Sequence, residues 1–590
     1  MQQNSKWDSL WREGRQSCLL LIMLVLLLYW PALNDTVNTV DDPHILNAYG
    51  INGHHTLARL FLPSGQFYYR PFIELSFYLD NLLWGLEPRF MHLENVLLHL
   101  FNTLLVYTIS KRITALSSGG ERIPLVSALI FALHPINTES VNWIAGRTDP
   151  LAAVSILLSL HFLLKGGESG RVRDLAVAGA AFWCALLTKE TAVMLAPASL
   201  VLLAALRTSS VSSERLQQIT RQVWWGYGVI FMVVAVVAGF RVLGRPTGSN
   251  NAFSMLIRQY DLWQVVRDCF TATGFYLKKL LVPVPLNFAI DVVHPAYAIL
   301  GVLVVPLCWY LLKRRNIFSG FLLSALLFMI PPVVVMCAGL NWTPVAERYL
   351  YIPSAFFAIW CAGCIDTVLR DHSRSRPVAL LLGAVVMVLA AVTFQRNLVW
   401  RDNLSLFEDA VKKSPRFGDV RNDLGLALVK AGRYDEAREH FEFAVAHAKR
   451  KRLQDIARMN LLNLDMQGKD AAEKIRMVEQ VRNEQGDFHE GLLILHNSLL
   501  RQQLRVATKR ESWAIYPKLV LLNDLLYRRT ADPHYLYYNG QYLLILGEKQ
   551  RAYQYFADVV RKVPFESELF VNSTKLMKLL DSAPAKQSVP

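Results

Sequence analysis

The sequence predicts an all-α protein in two parts, a polytopic membrane helix bundle followed by a helical-repeat domain. Three observations carry that class. Apolar residues make up 53% of the 590 positions, so long apolar stretches must exist somewhere in the chain. Those stretches fill 1–398 and are absent from 399–590. In the second part the apolar positions follow the helical period of about 3.6 residues, and an internal repeat is visible.

In the first part, apolar runs occupy Cys18 to Leu33, Leu93 to Ser110, Pro124 to Leu133, Pro150 to Leu164, Leu175 to Thr188 and Thr191 to Leu206. Further runs follow at Val223 to Leu243, Ala296 to Leu312, Ile317 to Leu340, Tyr349 to Val368 and Val378 to Phe394. Most are near the roughly 17–25 residues that cross a hydrocarbon core, and a few short ones must lean on neighbouring loops. No small-residue cleavage site follows Tyr29, Trp30 and Pro31, so the first run reads as a retained anchor. Val265 to Pro283 is apolar enough to span, yet a crossing there breaks the charge pattern, and it is expected to be interfacial or re-entrant. The seven cysteines lie mostly inside apolar runs, Cys361 and Cys364 included, where a thiol packs as a small hydrophobe.

A formal net charge of +15 in a soluble protein would direct attention to nucleic acid; here its distribution argues for membrane lipids and against that partner. Basic clusters sit between alternate runs: Lys111, Arg112 and Arg122; Lys165, Arg171 and Arg173; Arg207, Arg215 and Arg221; Lys313 to Arg315; Arg370 to Arg376. The positive-inside rule then gives about eleven crossings, a cytoplasmic N terminus and an exoplasmic C-terminal domain.

That topology leaves many charged groups in the outer loops. The first loop, 34–92, carries Asp41 and Asp42, then Arg70 and Glu74. The second carries His134, Glu139, Arg147 and Asp149; Lys189 and Glu190 form a short polar turn, and Glu347 and Arg348 precede a later run. Arg147, Lys189 and Arg348 are cations on the face where the rule makes cations scarce. Either Glu139, Glu190 and Glu347 neutralise them in structural ion pairs, or an anion such as a phosphate sits against them. Asp41 and Asp42 are placed for a general base, although an acidic pair before a proline is usually a loop or helix cap. With His44 they could touch a divalent metal, but three close ligands on one loop are more often a solvated turn, and the cofactor question stays open.

Beyond Trp400 the repeat becomes readable. Phe407 and Ala410 recur as Phe441 and Ala444 at an offset of 34 residues, the length of a tetratricopeptide unit. Leu424, Gly425, Gly432 to Ala437 and Phe441 fit that repeat, and Gly540, Gly547, Ala552 and Phe556 repeat the internal spacings. Between 450 and 531 the consensus fades into either degenerate units or an insertion. Such an array is either a passive scaffold or a groove for a peptide or protein partner.

Together, Asp41-Asp42, Arg70-Pro71, the polar series His92 to Asn102, the string His134-Pro135-Ile136-Asn137-Thr138-Glu139, Gly146-Arg147, Lys189-Glu190 and Glu347-Arg348-Tyr349-Leu350-Tyr351-Ile352-Pro353-Ser354 resemble the transmembrane and tetratricopeptide repeat-containing proteins. The likeness spans nearly the whole chain, though the repeat array is shorter than in many members. It implies a GT-C type glycosyltransferase in 1–398 and a tetratricopeptide-like domain in 399–590. Such an enzyme takes a sugar from a polyprenyl- or dolichyl-phosphate donor and passes it to a protein or glycan hydroxyl; the animal members are associated with O-mannosylation. By position, Asp42 would be the base, with Asp41 orienting it or the acceptor. Arg348 would hold the donor phosphate with Arg147 and Lys189, supported by Arg70, His134, Glu139, Glu190 and Glu347. The modest length and absent targeting tail favour a bacterial inner membrane, with the site toward the periplasm, over the endoplasmic reticulum lumen. A transporter of lipid-linked sugars or a membrane-anchored scaffold are the competing classes. The first predicts polar groups at mid-membrane in two related halves, and the second leaves the outer cations without a task.

Overall fold

The computed structural model describes residues 2–206 and 261–582 apart from 39, 41, 50–56, 62–68, 118, 315, 340–342, 371–374 and 488, together with isolated positions between 228 and 239. The run expected at Val223 to Leu243 and the cluster Arg207, Arg215 and Arg221 therefore lie outside the described residues, as does Asp41. The described residues form helices and connecting turns with no strand, in two compact units, Met1–Arg416 and Phe417–Pro590.

The first unit contains α1 (Gln2–Leu28), α2 (Asp42–Tyr49), α3 (Leu57–Leu60), α4 (Pro71–Trp84), α5 (Pro88–Ser117), α6 (Ile123–Leu133), α7 (Thr138–Asn142), α8 (Thr148–Ser169), α9 (Val172–Thr188) and α10 (Leu195–Leu206). It continues with α11 (Leu262–Leu281), α12 (Tyr297–Arg314), α13 (Ile317–Phe328), α14 (Ile330–Cys337), α15 (Tyr351–Leu369), α16 (Ser375–Val399) and α17 (Asn403–Lys413). Five described helical stretches are long and apolar enough to cross a membrane: Ala145–Ser169, Tyr297–Arg314, Ile317–Cys337, Glu347–Leu369 and Arg376–Val399. Shorter apolar helices cover Gly14–Leu28, Ile123–Leu133 and Glu190–Leu206.

Burial sorts these helices. α15 is packed inside, with Tyr351, Phe356, Phe357 and Ile359 buried, whereas Leu380, Leu381, Met387 and Val388 of α16 are exposed. An apolar helix with an apolar exposed face suits hydrocarbon as its solvent. α5 is different, because it buries His92, Asn95, His99, Asn102 and Thr103 along one side. Those groups are satisfied internally: His99 Nδ1 lies 2.8 Å from the Tyr351 hydroxyl, and the Asn102 amide donates to Pro150 O at 2.9 Å. A polar seam of this kind ties three helices together in an apolar medium.

The stretch expected to be interfacial or re-entrant is a continuous 20-residue helix, α11. It crosses α12 so closely that a side chain at Gly274 would collide with Tyr297 O, and one at Gly301 with Phe270 O. Only glycine permits such backbone approach. The first unit also runs past 398, because α17 is stitched back into it. Asn403 donates to Val37 O at 2.8 Å, Ser414 to Ala289 O at 2.7 Å, and Arg396 pairs with Asp409 at 2.6 Å.

The second unit is a series of helices, each packed on the next except at the step from α20 to α21: α18 (Gly418–Lys430), α19 (Tyr434–His447), α20 (Lys451–Asp465), α21 (Ala471–Gln485), α22 (Glu490–Val506), α23 (Lys509–Thr530), α24 (Pro533–Ile545), α25 (Lys549–Lys562) and α26 (Glu568–Ser582). Short loops between neighbours make them helical hairpins. The stretch 450–531, where the consensus fades, is filled by four such helices. In both recognisable copies the small residue does the same job. A Cβ on Gly425 would stand 2.5 Å from the Phe441 ring, and one on Gly540 2.5 Å from Phe556.

Candidate functional site

The string from His134 to Arg147 forms a buried knot at one end of the first unit. Pro135–Asn137 and Ala145–Arg147 are single 3-10 turns on either side of the five-residue α7. Chain this irregular is stable when buried only if its polar groups find partners. The Asn137 amide donates to Phe131 O at 2.8 Å and its carbonyl accepts from Ser354 Oγ at 3.0 Å; the Asn142 amide donates to Thr138 O and Asn397 Oδ1. His134 accepts from Ile136 N–H through Nδ1 and meets Leu280 O through Nε2 at 3.1 Å. Burial pushes its pKa down to about 4, so it is a neutral imidazole with both nitrogens in use.

Six ion pairs surround this knot. Glu139 meets Arg348 Nη1 at 2.6 Å and accepts the Arg348 backbone N–H at 3.2 Å. Burial raises the Glu139 pKa while the Arg348 charge works against that rise. The Arg348 guanidinium lies 5.0 Å from the Trp143 ring and 5.0 Å from the Tyr349 ring. Tyr349 also faces Lys189, whose Nζ is 5.3 Å from the ring centre and 2.6 Å from Asp149. Burial pulls the Lys189 pKa down, and the neighbouring Arg70 and Arg348 charges act the same way against Asp149. Arg70 pairs with Glu190 at 2.7 Å, and Lys279 with Glu347 at 2.5 Å. Arg147 is the deepest: Nη1 meets Asp80 at 2.6 Å and Glu94 at 3.1 Å, Nε donates to Asn95 and Nη2 to Met91 O.

Asp42 begins α2 and is 1% exposed. Its Oδ1 accepts the Ala145 N–H at 3.0 Å and its Oδ2 the Asn38 N–H at 2.9 Å, which pins the first loop to the knot. The structure thus brings Asp42, Arg70, His134, Glu139, Lys189, Glu190, Glu347 and Arg348 into one neighbourhood. Arg147 shares it but has every guanidinium nitrogen engaged, leaving no face for a phosphate. Arg348 differs, because Nε and Nη2 make no hydrogen bond among the described residues. A planar cation with such an edge, beside two aromatic rings, can accept an oxyanion.

Two members of the cluster, Lys279 and Asp80, escaped the sequence reading. Lys279 sits on the last turn of α11, and Asp80 carries no motif. Trp143 and Tyr349 act through their rings. Glu74, on α4, makes no side-chain hydrogen bond or ion pair among the described residues, and burial pushes its pKa up to about 7. Among the described residues no group of three or more His, Cys, Asp or Glu is placed to hold a metal ion.

Residues 81–239 match the family described as dolichyl-phosphate-mannose-protein mannosyltransferase. A protein O-mannosyl-transferase of Caenorhabditis elegans, F38B6.6, is 25% identical over 458 residues, covering 73% of this chain and 63% of its own. The Drosophila melanogaster Tmtc3 and human TMTC1 protein O-mannosyl-transferases are each 26% identical, covering 64% of this chain and 48% of their own. The chain thus spans about half to under two thirds of the length of these relatives. The oligosaccharyltransferase of Archaeoglobus fulgidus, 13% identical, superposes with a TM-score of 0.33 over 71% of this chain and 58% of that one.

Proposed function

We propose, from the premise that the chain is TMTC-like and similar to protein O-mannosyl-transferases, that it transfers a sugar, mannose first among candidates, from a polyprenyl- or dolichyl-phosphate donor to a hydroxyl of a protein or glycan. The reaction occurs at the exoplasmic face, and the helical hairpins of the second unit bind the acceptor or a partner protein. The acceptor oxygen attacks the anomeric carbon as the bond from that carbon to the phosphate oxygen breaks. The acceptor proton passes to a carboxylate, and the lipid phosphate leaves with the electron pair. Asp42 is the base, its carboxylate oriented by the Asn38 and Ala145 N–H groups that donate to it. Asp41, its neighbour in sequence, orients the acceptor.

The observation that carries this reading is the Arg348 edge, Nε and Nη2, that makes no hydrogen bond among the described residues, with the Trp143 and Tyr349 rings each 5.0 Å from the guanidinium and Lys189 over the Tyr349 ring. That edge receives the departing phosphate, where charge develops in the transition state. Lys189 and Arg70 supply the surrounding positive field while Asp149 and Glu190 hold them in place. Glu139 and Glu347 position Arg348 and Lys279, and His134 anchors the knot to α11. Arg147 is structural.

The test is transfer from a radiolabelled polyprenyl-phosphate sugar in proteoliposomes. Asp42→Asn is expected to lower turnover by about 10²–10⁴-fold with the protein still folded, and Arg348→Ala to weaken donor binding. Wild-type turnover by both variants defeats the assignment. Loss in Glu74→Gln with full activity in Asp42→Asn moves the base to Glu74, whose raised pKa, with no cationic partner among the described residues, suits a proton acceptor.

A further inference from the structure

A wide cavity in the first unit is lined by none of the residues of that knot. It is a groove at the opposite end, where α6 begins rather than ends, bordered by α1, α5, α6, α15 and α16, with a volume of about 1260 Å³. That exceeds the roughly 300–1,000 Å³ of a small-molecule pocket. Its walls are largely apolar, including Leu20, Leu125, Leu129 and Val386. Lys111, Arg122 and Arg376 also line it, with Glu121 the sole acidic group among the described lining residues. All three cations are exposed and make no ion pair among the described residues. The groove adjoins the exposed apolar face of α16, with Leu380, Leu381, Met387 and Val388 beside it in sequence.

We propose that this groove holds an anionic diacyl phospholipid of the adjoining leaflet, its acidic headgroup against Lys111, Arg122 and Arg376 and its chains along the apolar walls. Apolar walls that continue into a lipid-facing helix surface favour acyl chains over a free anion. An excess of three cations over one carboxylate favours an acidic headgroup over a zwitterionic one. Gly383 gives a way to close the site. It lines the groove in mid-helix, and a Cβ added there meets nothing within 4 Å.

The full chain purified in detergent is titrated with phosphatidylglycerol or phosphatidylcholine and read by native mass spectrometry. The wild type is expected to retain one phosphatidylglycerol in preference to phosphatidylcholine. Lys111→Gln, Arg122→Gln and Arg376→Gln together weaken retention by about tenfold or more. Gly383→Trp abolishes it without lowering the melting midpoint. Equal retention of the two lipids by the wild type overturns the proposal, as does undiminished phosphatidylglycerol on the triple variant. Displacement by equimolar inorganic phosphate also overturns it, by reducing the groove to an anion site. If the triple variant melts early, Gly383→Trp decides, and retention of phosphatidylglycerol by that variant is fatal.

Discussion

Replacing Arg147 by methionine tests whether the deepest ion pair is a structural pin. Arg147 and Asp80 are each about 1% exposed, and the guanidinium holds Asp80, Glu94, Asn95 and the Met91 carbonyl. Methionine preserves contact with the Phe77 ring, which lies 5.0 Å from the guanidinium. It leaves Asp80 without its cation in a low-dielectric site. Breaking such a pair costs about 3–5 kcal/mol, a large part of the stability of an ordinary domain. Burial already raises the Asp80 pKa, and the Arg147 charge is what opposes that rise. Without Arg147 the carboxyl pKa therefore climbs further above its unfolded value. The carboxylate then exacts its full penalty only at pH values above that raised pKa, and protonation relieves it as pH falls. The defect is expected to be larger at about pH 8 than at about pH 5. Fluorescence-detected size-exclusion after heating of the full chain, at both pH values, reads this. Arg147→Met with Asp80→Leu should recover much of the loss, because a buried ion pair exchanged for apolar contact is often near neutral. A wild-type midpoint in the single variant, or a double variant no better than the single, refutes the structural role.

Lys279→Met strands Glu347, which is 1% exposed, and is expected to destabilise the full chain by about 3–5 kcal/mol, with Glu347→Gln partly restoring it in thermal melts. Gly540→Val drives a side chain into Phe556 and should destabilise the second unit by about 1–3 kcal/mol, while Gly547→Asn, at a left-handed turn with φ of 77°, is expected to be mild; limited proteolysis of the second unit separates the two. Acidification is expected to loosen the second unit through His496. Burial, with Arg482 and Lys518 acting the same way against Glu479 and Asp487, holds its pKa down to about 4, so the unfolded chain takes up a proton from about pH 6.5 downward and the native state does not. Stability should fall as pH drops from about 6.5 toward 4, and His496→Asn should flatten that dependence in urea titrations; an unchanged slope removes the assignment.

The apolar runs, the helical period and the Gly-to-Phe spacing at Gly425–Phe441 and Gly540–Phe556 are local properties of the chain, and they carried the all-α class and the helical array directly from sequence. The strings around Glu139 and Arg348 were legible as well, because several charges beside hydrocarbon need a reason wherever they occur. What sequence left open was the pairing. Arg147 and Glu139 are eight positions apart, yet Arg147 turns to Asp80 on α4 while Glu139 turns to Arg348, over two hundred positions away. Lys279 entered the cluster because α11 is a full helix whose last turn reaches Glu347, a docking that no local signal specifies. An ion pair in an apolar medium forms with whichever opposite charge the helix packing brings within reach. Composition and spacing therefore determined which groups needed partners; the packing of α4, α5, α8, α11 and α15 decided which partner each received.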